Sequence, residues 1–156
     1  MADHTNYATL QSQLQALLEG ETHWLANLAN TAALLFQELA EINWVGFYLL
    51  EGNELVLGPF QGKPACIRIP LGQGVCGTTA KRRVTTVVPD VHEFPGHIAC
   101  DPASRSEVVV PMITAEGELL GVLDVDSPVL SRFTEEDGVG LGAIVDILVS
   151  ACDWRR

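Results

Sequence analysis

The sequence predicts an α+β fold, in which one antiparallel sheet of about six strands carries helices from both ends of the chain. Three observations predict it: helical apolar spacing at the start, paired strand-like segments in the middle, and a capped apolar stripe at the end. A chain of 156 residues has the size of one ordinary domain. We therefore expect a single domain over residues 1–156, with a helical part at about 5–40, the sheet at about 43–127 and a closing helix at about 134–154.

The N-terminal part contains two helical stripes. Apolar residues three or four positions apart fall on one side of a helix. The first stripe consists of Leu10, Leu14, Leu17 and Leu18, and the second of Leu25, Leu28, Ala32, Leu35, Phe36 and Leu39. Glu19 and Gly20 separate them, so two helices are expected.

The middle of the chain contains strand signals. Runs of β-branched and aromatic residues broken by Gly-containing turns are typical of hairpins. Residues 43–50 and 55–60 form one predicted hairpin around Gly52 and Asn53, and residues 107–113 and 118–126 form a second around Glu116 and Gly117. Shorter strands are expected at 66–69 and 84–88. The Gly-rich stretch LGQGVCGTTAKRR at 71–83 predicts a helix beginning near Gly74.

The last predicted helix begins with a capping pattern. Thr134 is followed three residues later by Asp137, which resembles a capping box. Its apolar stripe consists of Leu141, Ile144, Val145, Leu148 and Cys152. In contrast, residues 89–105 contain three prolines and no periodicity, and a loop of that length in a compact domain is often functional.

Charge and composition limit the classes of partner that we expect. The formal net charge of −11 repels nucleic acid and anionic membrane surfaces, so we expect neither as a partner. Four cysteines are too few and too scattered for a secreted disulfide scaffold, and no secretory signal precedes the domain. A cytoplasmic location is therefore expected, with thiols as the starting state.

Three carboxylates are expected on one patch of the sheet. Asp124 and Asp126 project to the same side of a strand, together with Leu120 and Val122. If Glu116 and Gly117 are the two central turn residues, Glu107 lies opposite Asp126. Like charges so close raise a pKa or attract a cation. A divalent metal, a basic side chain of a partner and the ammonium group of a ligand all remain open.

Cys100 has the sequence context of a reactive thiol. It lies in the long loop, with His97 three residues before it and Arg105 five residues after it, and nearby cations lower a thiol pKa. Asp101 acts in the opposite direction. Cys76, near the start of a helix, is a second candidate because the helix dipole favours a thiolate.

Metal and hydrolase chemistry are weaker interpretations of the same residues. A zinc site could be assembled from Cys66, Cys76, Cys100, His92 and His97, but the close ligand spacing of structural zinc sites is missing. We therefore expect no metal and no cofactor. A cysteine hydrolase with Cys100 and a histidine base also remains open.

The chain resembles the free methionine-(R)-sulfoxide reductases, which are stand-alone GAF domains. The resemblance covers nearly the whole chain and is carried by four stretches: NWVGFYLL at 43–50, LVLGPFQGKPACIRIPLGQGVCG at 55–77, PDVHEFPGHIACDPASRSEVVVP at 89–111 and GVLDVDSP at 121–128. It implies a GAF-like fold and reduction of the free amino acid methionine sulfoxide. A GAF sensor module without catalysis is the alternative.

The resemblance also implies roles for individual residues. Cys100 is the implied nucleophile, Cys66 resolves the sulfenic acid, and Cys76 is an alternative or auxiliary thiol. The implied substrate site consists of Glu107, Asp124, Asp126, Trp44 and Tyr48. A thioredoxin-type reductant would restore the thiols, and a homodimer is expected. Reduction of a sulfoxide requires a thiolate and an acid, and a crowded carboxyl group with a raised pKa is suited to the second task.

Overall fold

The computed structural model describes residues 4–98 and 100–155. Its helices are α1 (Tyr7–Leu18), α2 (Trp24–Glu38), α3 (Gly74–Arg82) and α4 (Glu135–Ala151), with a 3₁₀ turn at Val91–Glu93. Its strands are β1 (Trp44–Glu51), β2 (Glu54–Gly62), β3 (Arg68–Pro70), β4 (Thr86–Val88), β5 (Ser106–Ile113) and β6 (Leu119–Ser127). The predicted α+β fold is confirmed. None of the helices in the described ranges could cross a membrane.

The six strands form one antiparallel sheet in the order β3-β2-β1-β6-β5-β4. Both predicted hairpins, β1–β2 and β5–β6, are present, and β1 and β6 pair at the centre. The two short strands lie at the edges. The segment predicted as a strand at 66–69 pairs mainly from Arg68 onward, so Cys66 lies just before β3 rather than within it.

Alternation along the strands separates two hydrophobic cores. Val45, Phe47 and Leu49 of β1 face α1, α2 and α4 and belong to the larger core. Trp44 and Tyr48 point to the other face, where α3 and the long loop cover the sheet and a second core forms. Because successive side chains of a strand alternate between faces, the functional residues of β1 all lie on the α3 side.

The N-terminal helices confirm their predicted positions, but their apolar stripes are narrower than expected. Leu10, Leu14 and Leu18 are buried, as the helical spacing predicts. Three other stripe residues lie toward solvent: Leu17, Leu25 and Phe36 are 43%, 45% and 39% exposed. A helix packed on one side buries only about a third of its circumference, which explains the residues left outside.

Helix α4 begins as predicted but ends earlier. The Thr134 side chain and Asp137 form a reciprocal capping box, which satisfies backbone N–H groups of the first turn. The helix ends at Ala151, so Cys152 is not part of it, although Cys152 still packs against the same core as the stripe. Its Sγ accepts a hydrogen bond from Asn27 Nδ2 at 3.5 Å.

The β5–β6 hairpin has a different turn from the predicted one, yet the predicted pairing near the site is correct. Gly117 N–H donates to the Thr114 carbonyl, and the register shifts by one residue next to Met112. Gly121, with a φ of 154°, lies opposite Met112 where the register is restored. The irregularity also turns Leu120 into the helix-side core, so its expected place beside Val122 is wrong.

Gly121 also allows close approach of the two central strands. A Cβ at this position would collide with the carbonyl oxygen of Tyr48 on β1. A residue without a side chain is therefore required, because only then can β6 pair with β1 along the strand that carries Trp44 and Tyr48.

Candidate active site

A narrow pocket lies between the α3 face of the sheet and the loop that carries Cys100. Strands β1, β5 and β6 form its floor, and the start of α3 forms one wall. Part of another wall consists of His97, Ile98, Cys100, Asp101 and Ser104. Its volume is about 40 Å³. The predicted site residues that line it are Trp44, Tyr48, Cys76, Cys100, Glu107, Asp124 and Asp126.

Three carboxyl groups converge on the pocket floor. Glu107 of β5 lies directly opposite Asp126 of β6, and Asp124 is two residues before Asp126 on the same face. Glu107 is 6% exposed and Asp124 is 5% exposed, while Asp126 is partly buried. Two neighbouring strands in a fixed register therefore bring together an acid trio with little access to water.

Burial raises the pKa of all three carboxyl groups, because removal from water disfavours the charged form. For Glu107 and Asp126 the negative charge of Asp124 raises the pKa further, to well above the ordinary range. For Asp124, hydrogen bonds with Glu107, Cys76 and Asp126 act in the opposite direction. Within the trio, Glu107 and Asp126 are therefore the carboxyl groups that hold protons, and Asp124 is the one that most readily stays negatively charged.

Asp124 also has an unused acceptor. Its Oδ1 is buried and has no hydrogen-bond partner among the described residues. A buried acceptor without a partner costs about 1–3 kcal/mol, and more when it is charged. The pocket is therefore suited to a ligand that carries a cationic or hydrogen-bond-donating group.

Cys76 belongs to the acid cluster. Its Sγ lies 4.0 Å from Glu107 Oε2, and the residue is 4% exposed. Burial and then the charges of Asp124 and Glu107 raise the pKa of the Cys76 thiol. The expectation that the dipole of α3 favours a Cys76 thiolate is therefore wrong, because desolvation and nearby carboxylates outweigh it.

Cys66 and Cys100 are joined by a disulfide. Their Cα atoms are 5.5 Å apart, and the bridge spans 34 positions of sequence. Cys100 lies at the pocket and Cys66 lies in the segment that leads into β3, so the bond ties the long loop to the sheet edge. Cys76 and Cys152 are free thiols. Of the three predicted redox cysteines, two are therefore bonded and the third lies deeper in the pocket.

Trp44 and Tyr48 form an aromatic wall. Their rings stack with centroids 5.9 Å apart, as the spacing of four residues along β1 predicts. Both polar atoms are used by backbone carbonyls: Trp44 Nε1 donates to Lys63 and Tyr48 Oη donates to Cys66. The pocket surface of this wall is therefore apolar, and Tyr48 fixes the segment that carries Cys66.

The two predicted cations near Cys100 have different positions. His97 lines the pocket, where burial and then the neighbouring His92 lower its pKa while Asp124 raises it. Arg105 is exposed and is not among the pocket-lining residues. Of the two cations, only His97 therefore lines the pocket that Cys100 also lines.

The sequence interpretation missed the residue that anchors the loop that carries Cys100. Asn43, just before β1, donates through Nδ2 to Asp101 Oδ2 and to Ser104 Oγ, both at 3.1 Å. Asp101 also accepts from the Ala103 N–H, which stabilises a turn directly after Cys100. Asn43 and Ser104 are 61 positions apart, so only their three-dimensional contact identifies the pair.

Comparison with known proteins identifies the family. A model of the GAF domain matches residues 23–152. The free methionine-R-sulfoxide reductase of Escherichia coli (strain K12) is 57% identical over 153 residues, which cover 96% of this chain and 92% of that protein. The structure of fRMsr of Staphylococcus aureus in complex with substrate has a TM-score of 0.91 and 52% identity, covering 97% of this chain and 98% of that chain.

A second substrate complex gives a similar result. The free methionine-R-sulfoxide reductase from Neisseria meningitidis in complex with its substrate has a TM-score of 0.90 and 46% identity, covering 97% of this chain and 92% of that chain. Both high identity and nearly complete coverage accompany the shared fold. The chain therefore belongs to the GAF-domain family and, within it, to the free methionine-R-sulfoxide reductases.

Proposed function

We propose that this chain is an oxidoreductase that reduces free L-methionine-(R)-sulfoxide to methionine, with Cys100 as the nucleophile. The observation that carries the proposal is the Cys66–Cys100 disulfide beside a pocket floored by three carboxyl groups. Membership of the free methionine-R-sulfoxide reductases supports the same conclusion.

The proposed chemistry has two balanced steps. The Cys100 thiolate attacks the sulfoxide sulfur, a carboxylic acid protonates the departing oxygen, and methionine leaves while Cys100 becomes a sulfenic acid. The Cys66 thiol then attacks the Cys100 sulfur, so that a disulfide forms and water is released. A dithiol of the thioredoxin type reduces this disulfide and restores both thiols.

The three carboxyl groups have two proposed roles, proton transfer and recognition of the substrate. Glu107 and Asp126 have raised pKa values and can hold the proton that the sulfoxide oxygen needs. Asp124, with its unpartnered Oδ1, is suited to accept a hydrogen bond from the substrate's α-ammonium group. Trp44 and Tyr48 provide an apolar wall for the methyl end. A methionine sulfoxide within a peptide lacks that ammonium group, which accounts for selectivity toward the free amino acid.

The disulfide form represents the end of the catalytic cycle. Cys100 lines the pocket, and its bond to Cys66 keeps its sulfur from attacking a substrate. Reduction of the disulfide therefore has to come before the next turnover. Asn43, which binds Asp101 and Ser104, holds the loop that carries Cys100 in this form.

The decisive experiment is an assay of methionine release from the free R and S sulfoxides with dithiothreitol as reductant. We expect turnover of the R epimer and little of the S epimer, because one pocket fixes both the ammonium group and the methyl end. The alternative, a GAF sensor module, predicts ligand binding without methionine release. Absence of product from the pure, fully reduced protein would favour that alternative.

Cys66→Ser tests the resolving role. A sulfenic acid forms before it is captured, so this variant should still release about one equivalent of methionine per site in a single turnover. Turnover with thioredoxin should be severely slowed because the disulfide that thioredoxin recognises cannot form. Cys152→Ser, which changes a free cysteine outside the pocket, is the matched control. Full thioredoxin-dependent turnover of Cys66→Ser would transfer the resolving role to Cys76.

Several partner assignments remain expectations. Thioredoxin as reductant, a homodimer, a cytoplasmic setting, and catalysis without a metal or cofactor all belong to this proposal. The exposed apolar residues Leu17, Leu25 and Phe36 on the N-terminal helices are consistent with a contact between two copies. Light scattering of the purified protein measures the oligomeric state directly.

A further inference from the structure

The cluster at the base of the pocket contains a thiol as well as carboxylates. Ligand atoms of Cys76, Glu107 and Asp124 all lie within 4.8 Å of one another, and all three residues are buried. An ammonium group is satisfied by oxygen acceptors, so the thiol adds nothing to its recognition. A sulfur beside two carboxylates is instead a donor set that borderline cations such as Zn²⁺ prefer over Mg²⁺ or Ca²⁺.

The separations are close to those of a metal site. With a Zn–S distance of about 2.3 Å and a Zn–O distance of about 2.1 Å, tetrahedral geometry places sulfur and oxygen about 3.6 Å apart. The observed distance from Cys76 Sγ to Glu107 Oε2 is 4.0 Å. A small side-chain adjustment therefore brings both atoms to ligand distance, and a water molecule can supply the fourth ligand.

An independent observation also indicates a cationic occupant. Asp124 is 5% exposed, faces the pocket, and its Oδ1 has no hydrogen-bond partner in the described part of the chain. A single cation in the pocket would give this oxygen the partner that it lacks.

We propose that Cys76, Glu107 and Asp124 bind a borderline divalent cation such as Zn²⁺ in the disulfide form of the protein. Binding displaces the thiol proton and the protons that the carboxyl groups share, so affinity falls as the pH is lowered. The sequence-based zinc alternative combined Cys76 with Cys66, Cys100 and the histidines, whereas this site leaves the disulfide intact. The consequence for the cycle, that the ion must leave before a substrate's ammonium group enters, rests on the proposed function.

Cobalt provides a direct test on the oxidised protein. With the Cys66–Cys100 disulfide intact, Cys76 and Cys152 are the free thiols. Titration with Co²⁺ alone should therefore produce a near-ultraviolet thiolate-to-metal charge-transfer band that saturates at one equivalent and disappears on addition of Zn²⁺. Cys152→Ser should keep the band, and Cys76→Ser should lose it. Absence of the band in the wild type, or its loss only in Cys152→Ser, would overturn the proposal.

A second variant keeps the proposal testable if Cys76→Ser does not fold. Glu107→Gln removes one charged ligand and keeps the thiol, so the band should persist while the dissociation constant for Co²⁺ rises by about tenfold or more. Circular dichroism checks that each variant is folded. Unchanged affinity in folded Glu107→Gln would contradict the assigned ligand set. The titration contains no substrate, so failure of metal binding and failure of sulfoxide reduction are separate results.

Discussion

Cys100→Ser should abolish methionine sulfoxide reduction while leaving the protein folded. A serine hydroxyl is a poor nucleophile toward sulfur and cannot form the sulfenic acid, so single-turnover methionine release should fall by at least roughly three orders of magnitude. The loop that carries position 100 is fixed by Asn43 through Asp101 and Ser104. The substitution therefore removes the disulfide without removing the local anchor.

The measurement is methionine formed by fully reduced protein in one turnover, without a recycling reductant. Cys152→Ser is the control, since this thiol lies outside the pocket and contacts Asn27 instead. Circular dichroism of both variants tests the fold. If Cys100→Ser released a stoichiometric amount of methionine at a rate near that of the wild type, Cys76 would be the nucleophile in spite of its raised thiol pKa.

The sheet and its patterning could be predicted because they depend on local periodicity. Alternation along β1 indicates that Trp44 and Tyr48 share a face, and the pairing of β5 with β6 places Glu107 opposite Asp126. The predicted turn was nevertheless wrong. The turn over Thr114–Gly117 shifts the register of β5 against β6 by one residue from the predicted one. The irregularity near Gly121 shifts it back, so Glu107 lies opposite Asp126 as predicted.

Other features of the site depend on contacts that local sequence does not encode. The effect of α3 on Cys76 was misjudged because the spacing indicates a helix start but not the depth at which that start is buried. Likewise, Arg105 is close to Cys100 along the chain yet outside the pocket. Asn43 could not be assigned to the loop that carries Cys100, because its partners lie about sixty positions away on a loop without regular structure.

N-acetyl-methionine sulfoxide should be a poor substrate compared with the free (R)-sulfoxide. Acetylation removes the positive charge that Asp124 Oδ1 is proposed to bind, so this buried oxygen stays without a partner. Loss of the partner of a buried charge costs about 3–5 kcal/mol, which corresponds to a loss in kcat/KM of roughly 10²- to 4 × 10³-fold. Comparison of kcat/KM for the two substrates at one pH measures this loss.

Variants of the trio identify the carboxylate that is responsible. Asp124→Asn should reduce the difference in kcat/KM between the free and the N-acetylated substrate, because an amide does not penalise an uncharged nitrogen so strongly. Asp126→Asn should reduce this difference in kcat/KM as well if both aspartates face the ammonium group. A lower kcat with an unchanged difference between the substrates would assign Asp126 to proton transfer. Equal kcat/KM values of the wild type for both substrates would show that the trio does not recognise an ammonium group. Its carboxylates would then act in protonation of the sulfoxide oxygen, where the raised pKa values of Glu107 and Asp126 already suit them.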